Sequence, residues 1–535
     1  MNYRVFSYEK KKKIIELIHA DYIQKNDVDK VFFLGNVHMK YKKYHIYCDR
    51  AFFYKKNNKF YGYGNVQIKK GENKIFSKKI EYTEEYFKLS GRVTLFYGKI
   101  KLMSNDIIYN FRKKIFQAIN NVVLFLDDFK LNTNTLVYDL KTQKIYYKNK
   151  SIITCGKLNI SSKEGYYFIL KKKVELKYGV KLITKKYTVY SNFLEYFPKQ
   201  QKKINFCHPI IIIQNDKINN FIYADKAYFF LKKEIFVFKY SRIHYNDKIL
   251  KVKYFFFDQK KKYGFIKNII LEDKTNKYLL IGGYGELNLN YNSFILKKNV
   301  KIIKIFKKKP IVIYSDKLKI SLKKDYLIQA FLVKSYLLNN NIQIICNSLH
   351  YKLSDKFIKL DGNPIIWFNN QQIMGNSIFI YFNNNFLKKI KIIKNASYIE
   401  KINNNDFNQI GGDIITGFFK ENILEKILIQ GNVNSIFFLY PSKDIKIINK
   451  SSYGTLSLDL YQGKKIKKIY STEPILSELI PVKNIKKLFF IPNFFWKKKP
   501  KKIKNFIIYE EIEKYRKENL LEIEKIKKIK LNSYE

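Results

Sequence analysis

Gly35-Asn36-Val37 returns as Gly64-Asn65-Val66 and again as Gly91-Arg92-Val93, at steps of 29 and 27 residues. A degraded copy follows at Asn121-Val122-Val123. Matching phrases lie between these marks: Cys48-Asp49-Arg50-Ala51-Phe52-Phe53-Tyr54, Lys79-Ile80-Glu81-Tyr82 and Asn105-Asp106-Ile107-Ile108-Tyr109. A fixed period of this length marks a repeat protein, in which each unit buries its apolar face by stacking on its neighbours. Within the units apolar residues alternate with polar ones, as in Val37, Met39 and Tyr41, then Val66 and Ile68, then Val93 and Leu95. That period of two belongs to β-strands. Each unit reads as two short strands joined by a turn, the first leading out of the Gly-Asn-Val mark. Lys56-Asn57-Asn58-Lys59, Lys70-Gly71-Glu72-Asn73 and Leu126-Asp127-Asp128 supply the turns.

Composition supports an all-β chain. Of 535 residues 46% are hydrophobic and 17% aromatic, which excludes a disordered chain. Tyr and Phe number 44 each against 21 Gly and 9 Pro, and aromatic and β-branched residues favour strands. The net charge of +58 suggests a polyanionic partner. The abundant residues are, however, those of AT-rich codons, and the lysines are spread along the whole chain, so codon drift accounts for the charge better than one ligand. Cys48, Cys155, Cys207 and Cys346 form no CxxC pair, and the six histidines are scattered. No zinc or redox-dithiol spacing results. His38, His45 and Cys48 read as strand-face residues rather than metal ligands. Lys10 to Lys13 stand where a secretory signal needs an apolar run, and no apolar stretch is long enough for a transmembrane helix. Taken alone, this predicts a cytoplasmic protein.

Residues 1–30 form a lead-in, with a short helix or lead-in over Tyr8 to Tyr22. A first β-repeat region covers 31–200 and a second 201–450, with a closing segment over 451–505 and a charged tail over 506–535. Tyr223-Ala224-Asp225 and Tyr314-Ser315-Asp316 continue the pattern, and Ile429 to Phe438 closes the array. Gly282-Gly283-Tyr284-Gly285 reads as a turn, and Pro474 and Pro481 mark a loop. Ile512, Tyr515, Asn519, Ile523 and Ile526 fall at helical spacing, which predicts one amphipathic helix within Tyr509 to Lys530.

Three sets of residues carry a resemblance. They are the repeated unit over 35–54 and 64–82, the run from Cys346-Asn347-Ser348-Leu349 through Pro364-Ile365-Ile366-Trp367 to Gly375-Asn376, and the run from Phe407 through Gly411-Gly412-Asp413 to Phe438. In this order they resemble the OstA-like proteins, relatives of the periplasmic components of lipopolysaccharide transport, in the long form of Bacteroidetes-type bacteria. The resemblance covers about residues 31 to 500. Lys78-Lys79 depart from it where the family tends to have Asp. The resemblance implies an elongated repeat β-jellyroll, a twisted, V-shaped sheet array, to which the residue spacing adds a short C-terminal helix. It implies a periplasmic protein of lipopolysaccharide transport and outer-membrane assembly, with an export signal that is eroded or lies beyond a misplaced start. Implied partners are lipopolysaccharide or a related lipid and other transport components joined by end-to-end β stacking. Contact with membranes is through those partners alone, and no specific nucleic acid is expected.

The expected role involves no chemistry and no cofactor. No Gly-x-Ser-x-Gly, P-loop or metal-binding His spacing is present. Asp49, Asp106, Asp225 and Asp316 recur once per unit, which argues for hydrogen bonding to turn backbone rather than for catalysis. The candidate lipid-lining residues are Val37, Met39, Ile46, Val66, Ile68, Val93, Leu95, Ile100 and Leu102, one apolar face of the early sheet. Three alternatives stay open: a dry core at these positions, a basic nucleic-acid-binding β protein, and a structural envelope protein with no lipid. Nucleic-acid binding would need aromatic rings exposed on a basic face; the Tyr and Phe residues here read as sheet positions or turn neighbours.

Overall fold

The computed structural model describes residues 15–482 apart from short gaps, residues 489–500, and Lys517 and Leu521. Among them are 36 β-strands and a single 3₁₀ turn, Leu353–Asp355. The strand pairings described are antiparallel and mostly join neighbours in sequence. The all-β repeat fold expected from the alternation is therefore present. The chain divides into two units, one ending at Phe238 and the other beginning at Lys239. The predicted C-terminal helix lies outside the described residues except for Lys517 and Leu521, which are both helical.

The strands are not short. Lys30–Tyr41, Lys59–Lys70, Tyr86–Tyr97 and Ile115–Leu126 have 12 residues each. The Gly-Asn-Val mark does not begin a strand but bends one in its middle. Gly64 and Asn65 have φ of 74° and 40°, and Asn120 and Asn121 have 60° and 54°. Two successive left-handed residues cannot stay in a ladder, and pairing skips them: Tyr63 faces Lys79, and the next pair of those two strands is Val66 with Ser77. Each mark is thus a β-bulge, which kinks its strand and raises the local twist. Gly and Asn are the residues that tolerate this conformation.

Repeated in register, the bulges crease the sheet of the first unit. Val31, Phe53, Phe60 and Tyr82 form one cross-strand row, while Tyr41 lies ten residues beyond Val31 on the same strand. A flat strand would hold these positions roughly 30 Å apart. The rings of Tyr41 and Tyr82 are instead 5.2 Å apart, centroid to centroid. The two halves of each long strand therefore face one another as walls.

Four local expectations are corrected. Glu16–His19 and Tyr22–Lys25 are strands rather than helix, paired to Lys30–Tyr41, whose open edge offers them a full backbone ladder. Gly282 to Gly285 lie inside the strand Tyr278–Asn288. There the register shifts, and a side chain on Gly285 would press on Ile269 and Phe294, so these glycines admit neighbouring side chains instead of turning the chain. Pro481 ends the strand Leu476–Pro481, which lies beside Ile445–Tyr461 and not in a loop. The array also runs past Phe438, through Ile445–Tyr461, Lys465–Thr472 and Leu476–Pro481.

Candidate functional site

All nine candidate lining residues lie on one face of the first unit's sheet, but at different depths. Val37, Val66 and Val93 follow the bulges and sit in the crease, at 0–1% exposure. Each faces a small side chain, Cys48, Ser77 and Ser104 respectively. The serine hydroxyls donate back to their own strands, Ser77 to the carbonyl of Lys79 at 3.1 Å and Ser104 to that of Asp106 at 3.0 Å. The crease is a dry seam with its polar groups satisfied. Burial pushes the Cys48 thiol up to about 12, which disfavours the reactive thiolate.

One step further from the crease, Met39, Ile46, Ile68, Leu95 and Leu102 belong to a single row. It runs Leu17–Met39–Ile46–Ile68–Ile75–Leu95–Leu102–Leu124–Leu131–Ile153–Ile160–Leu182–Val189–Ile212–Ile222, each residue facing the next across a strand pair. No polar residue interrupts it. Met39, Ile46 and Ile68 are buried, whereas Ile75, Leu95, Leu124 and Leu131 keep part of their surface exposed. Ile100, facing Tyr97 and Leu126, lies one step nearer the rim and is half-buried.

The opposing wall was missed in the sequence. Its row runs Val31–Phe53–Phe60–Tyr82–Phe87–Tyr109–Phe116–Tyr138. The space between the walls is thus aliphatic on one side and mostly aromatic on the other. A signal for the second wall was present. An aromatic residue stands four positions after the Asp or its equivalent in each unit: Phe53 after Asp49, Tyr82 after Lys78, Tyr109 after Asn105 and Tyr138 after Asn134. Tyr41 reaches across to Tyr82, and Phe111 packs against both, at 6.3 and 5.8 Å. Burial first, and then the hydrogen bond with Tyr41, push the Tyr82 phenol far above its ordinary range.

Of the four recurrent carboxylates, Asp49 does a structural job, and it bonds a side chain rather than turn backbone. Asp49 accepts a hydrogen bond from the Asn65 amide at 3.0 Å, and Asp413 accepts one from Asn432 at 2.9 Å. Asp21 does the same for Asn36 at 3.0 Å. In each case the carboxylate sits over the bulge glycine of the following strand, so the phrase of one unit reads the mark of the next.

Residues 11–86 and 82–192 match the family described as OstA-like protein. Residues 11–192 are thus similar to the OstA-like proteins. Both matched segments fall in the creased first unit. No curated protein matches the chain. Among solved structures, LptH of Pseudomonas aeruginosa, described as the LptA-homologous periplasmic component of the lipopolysaccharide transport device, is 12% identical. The match covers 26% of this chain and 93% of that one, with a TM-score of 0.19, too slight a likeness to carry an argument.

The outer face of the OstA-like region differs from its inside. Lysines lie over aromatic rings there: Lys69 is 4.9 Å from the Tyr47 ring, Lys30 5.0 Å from Phe52, and Lys144 4.1 Å from Tyr166. Phe76 and Phe96 on this face are 38% exposed. Aromatic rings on a basic face, which the sequence reading did not find, are therefore present, and many are covered by the chain's own ammonium groups. His38 stacks on Tyr47 at 4.4 Å and hydrogen-bonds His45 at 2.9 Å. Burial, then the charges of His45, His19 and Lys69, lower its affinity for a proton. Among the described residues no group of three or more His, Cys, Asp or Glu could hold a metal ion.

Proposed function

We propose that the first unit carries the acyl chains of a lipid, lipopolysaccharide or a relative, between its aliphatic and aromatic walls. The protein would act in the periplasm, in lipopolysaccharide transport and outer-membrane assembly, without chemistry on its cargo. The uninterrupted aliphatic row from Leu17 to Ile222, half-buried along part of its length, carries this reading. Acyl chains make no directional demands, so a continuous apolar trough suffices, and each methylene removed from water contributes about 0.8 kcal/mol. Partly exposed aliphatic side chains facing an opposed wall are poorly covered by the protein itself, and a lipid chain would complete their burial. The similarity of residues 11–192 to the OstA-like proteins supports the same reading.

A photo-crosslinking residue placed at Leu95 or Leu124 should capture lipopolysaccharide in cells. One at Thr94, which pairs with Phe76 and Met103 on the outer face, should not. One at Val66, in the dry seam, should capture little. Equal capture from Leu95 and Thr94, or none from either, would leave the trough as a dry core.

A further inference from the structure

In the second unit, a row of side chains on the sheet face opposite Ile344, Ile366 and Ile410 is buried although it contains three glutamines. The row is Gln343–Trp367–Gln372–Ile399–Gln409–Ile436, each residue facing the next across a strand pair. Every member is at most 3% exposed. Residues 489–497, Phe-Phe-Ile-Pro-Asn-Phe-Phe-Trp-Lys, cross over it.

This segment is read as a peptide. Gln409 donates to the Phe489 carbonyl at 3.3 Å and accepts from the Ile491 amide at 3.1 Å. Gln372 donates to the Phe495 carbonyl at 2.5 Å and accepts from the Lys497 amide at 3.0 Å. Each carboxamide thus takes the carbonyl of one residue and the N–H of the residue two further on, the pattern one strand offers another. The Trp367 indole donates to the Lys497 carbonyl at 3.0 Å. Gln372 and Gln409 are two strands apart, about 10 Å. Fully extended, the four residue steps from Ile491 to Phe495 would overrun that spacing. The turn at Pro492-Asn493 takes up the excess, with Asn493 at φ 62° and the Phe494 amide donating back to Ile491. Asn493 also donates to Asn395 at 3.0 Å. Ile491, 4% exposed, packs with Ile436 and Ile448, and it fills the space over Gly411 where any larger residue would intrude. Phe494 and Trp496 pack on Phe407 at 5.4 and 5.3 Å.

We propose that this face is a sequence-reading peptide-binding site, occupied in cis by residues 489–497 and able to bind that sequence in trans. Its ligand class is an extended peptide with an apolar anchor, a Pro-Asn turn and two aromatic residues. Gln372 and Gln409 set the register by reading backbone, and the gap over Gly411 selects the anchor. The proposal stands apart from the lipid reading and uses none of its residues.

A labelled peptide of residues 489–500 is titrated into the full-length chain and into a full-length variant carrying Ile491→Asp and Phe494→Asp, which empties the site. The peptide should bind the emptied chain saturably and the native chain undetectably, because the tethered copy is present at a far higher effective concentration. Adding Gln409→Leu should weaken binding by about tenfold or more. Equal binding to both chains, equal binding of a scrambled peptide, or no binding to an emptied chain with unchanged far-UV circular dichroism overturns the proposal. If the emptied chain loses its β signal, hydrogen exchange on Gln409→Leu alone decides. Faster exchange of the Ile491 amide with unchanged sheet amides supports the site, and unchanged exchange overturns it.

Discussion

At Gly64 the backbone is left-handed, and a Cβ would land on the Asp49 carboxylate. Both facts argue against any other residue, and they separate in a double-mutant cycle. Gly64→Ala should destabilise the first unit by about 1–3 kcal/mol, read as a lower midpoint of its thermal transition. Asp49→Ala should cost no more than about 1 kcal/mol, since the bond it removes is exposed. Combining them should recover the steric part of the Gly64→Ala loss and leave the backbone part. Strict additivity would mean that the carboxylate does not sit over the glycine. The equivalent position before Gly91 is Lys78, whose aliphatic stem occupies the same place, so the geometry survives a change of charge while the hydrogen bond does not.

At the scale of the element, the bulged strand is the working part. Its two halves become opposite walls, and Tyr41 on one closes against Tyr82 and Phe111 on the other. Removing the Tyr41 ring should widen the mouth of the trough. Tyr41→Ala is expected to speed uptake of a fluorescent fatty acid several-fold, measured by stopped flow. Tyr54→Ala, which removes a ring paired with Tyr61 on the outer face, should leave the rate unchanged. Equal acceleration by both would point to general loosening of the sheet. The sequence marked the bulges correctly as repeat signals but not as bends. Gly-Asn between two apolar runs is also the signature of a hairpin turn, and only the pairing across the neighbouring strands distinguishes a turn from a bulge inside a longer strand.

For the whole molecule the net charge of +58 is the dominant long-range property. Lysines set over outer-face rings give the chain a basic, aromatic exterior, which favours polyanions without selecting one. DNA should therefore bind weakly and without sequence preference, losing about a thousandfold or more in affinity between 50 and 200 mM salt. A tight, sequence-selective complex at physiological salt would displace the lipid reading in favour of a nucleic-acid role for that face.

The alternation in Val37, Met39 and Tyr41 and the spacing of the marks determined the all-β repeat fold, because side-chain period and repeat length are local properties of a chain. They also placed the nine candidate residues on one face, since cross-strand register preserves that face from strand to strand. Depth was not legible. Val66 and Leu95 look alike in the sequence, yet one lies in the crease and the other on the half-open wall, because burial depends on how far each stands from a bend that two left-handed residues create. The aromatic wall and the contact between residues 489–497 and the glutamine row were likewise decided in three dimensions. Phe489 and Gln409 are 80 residues apart, and no local pattern announces that a carboxamide will take the place of a neighbouring strand.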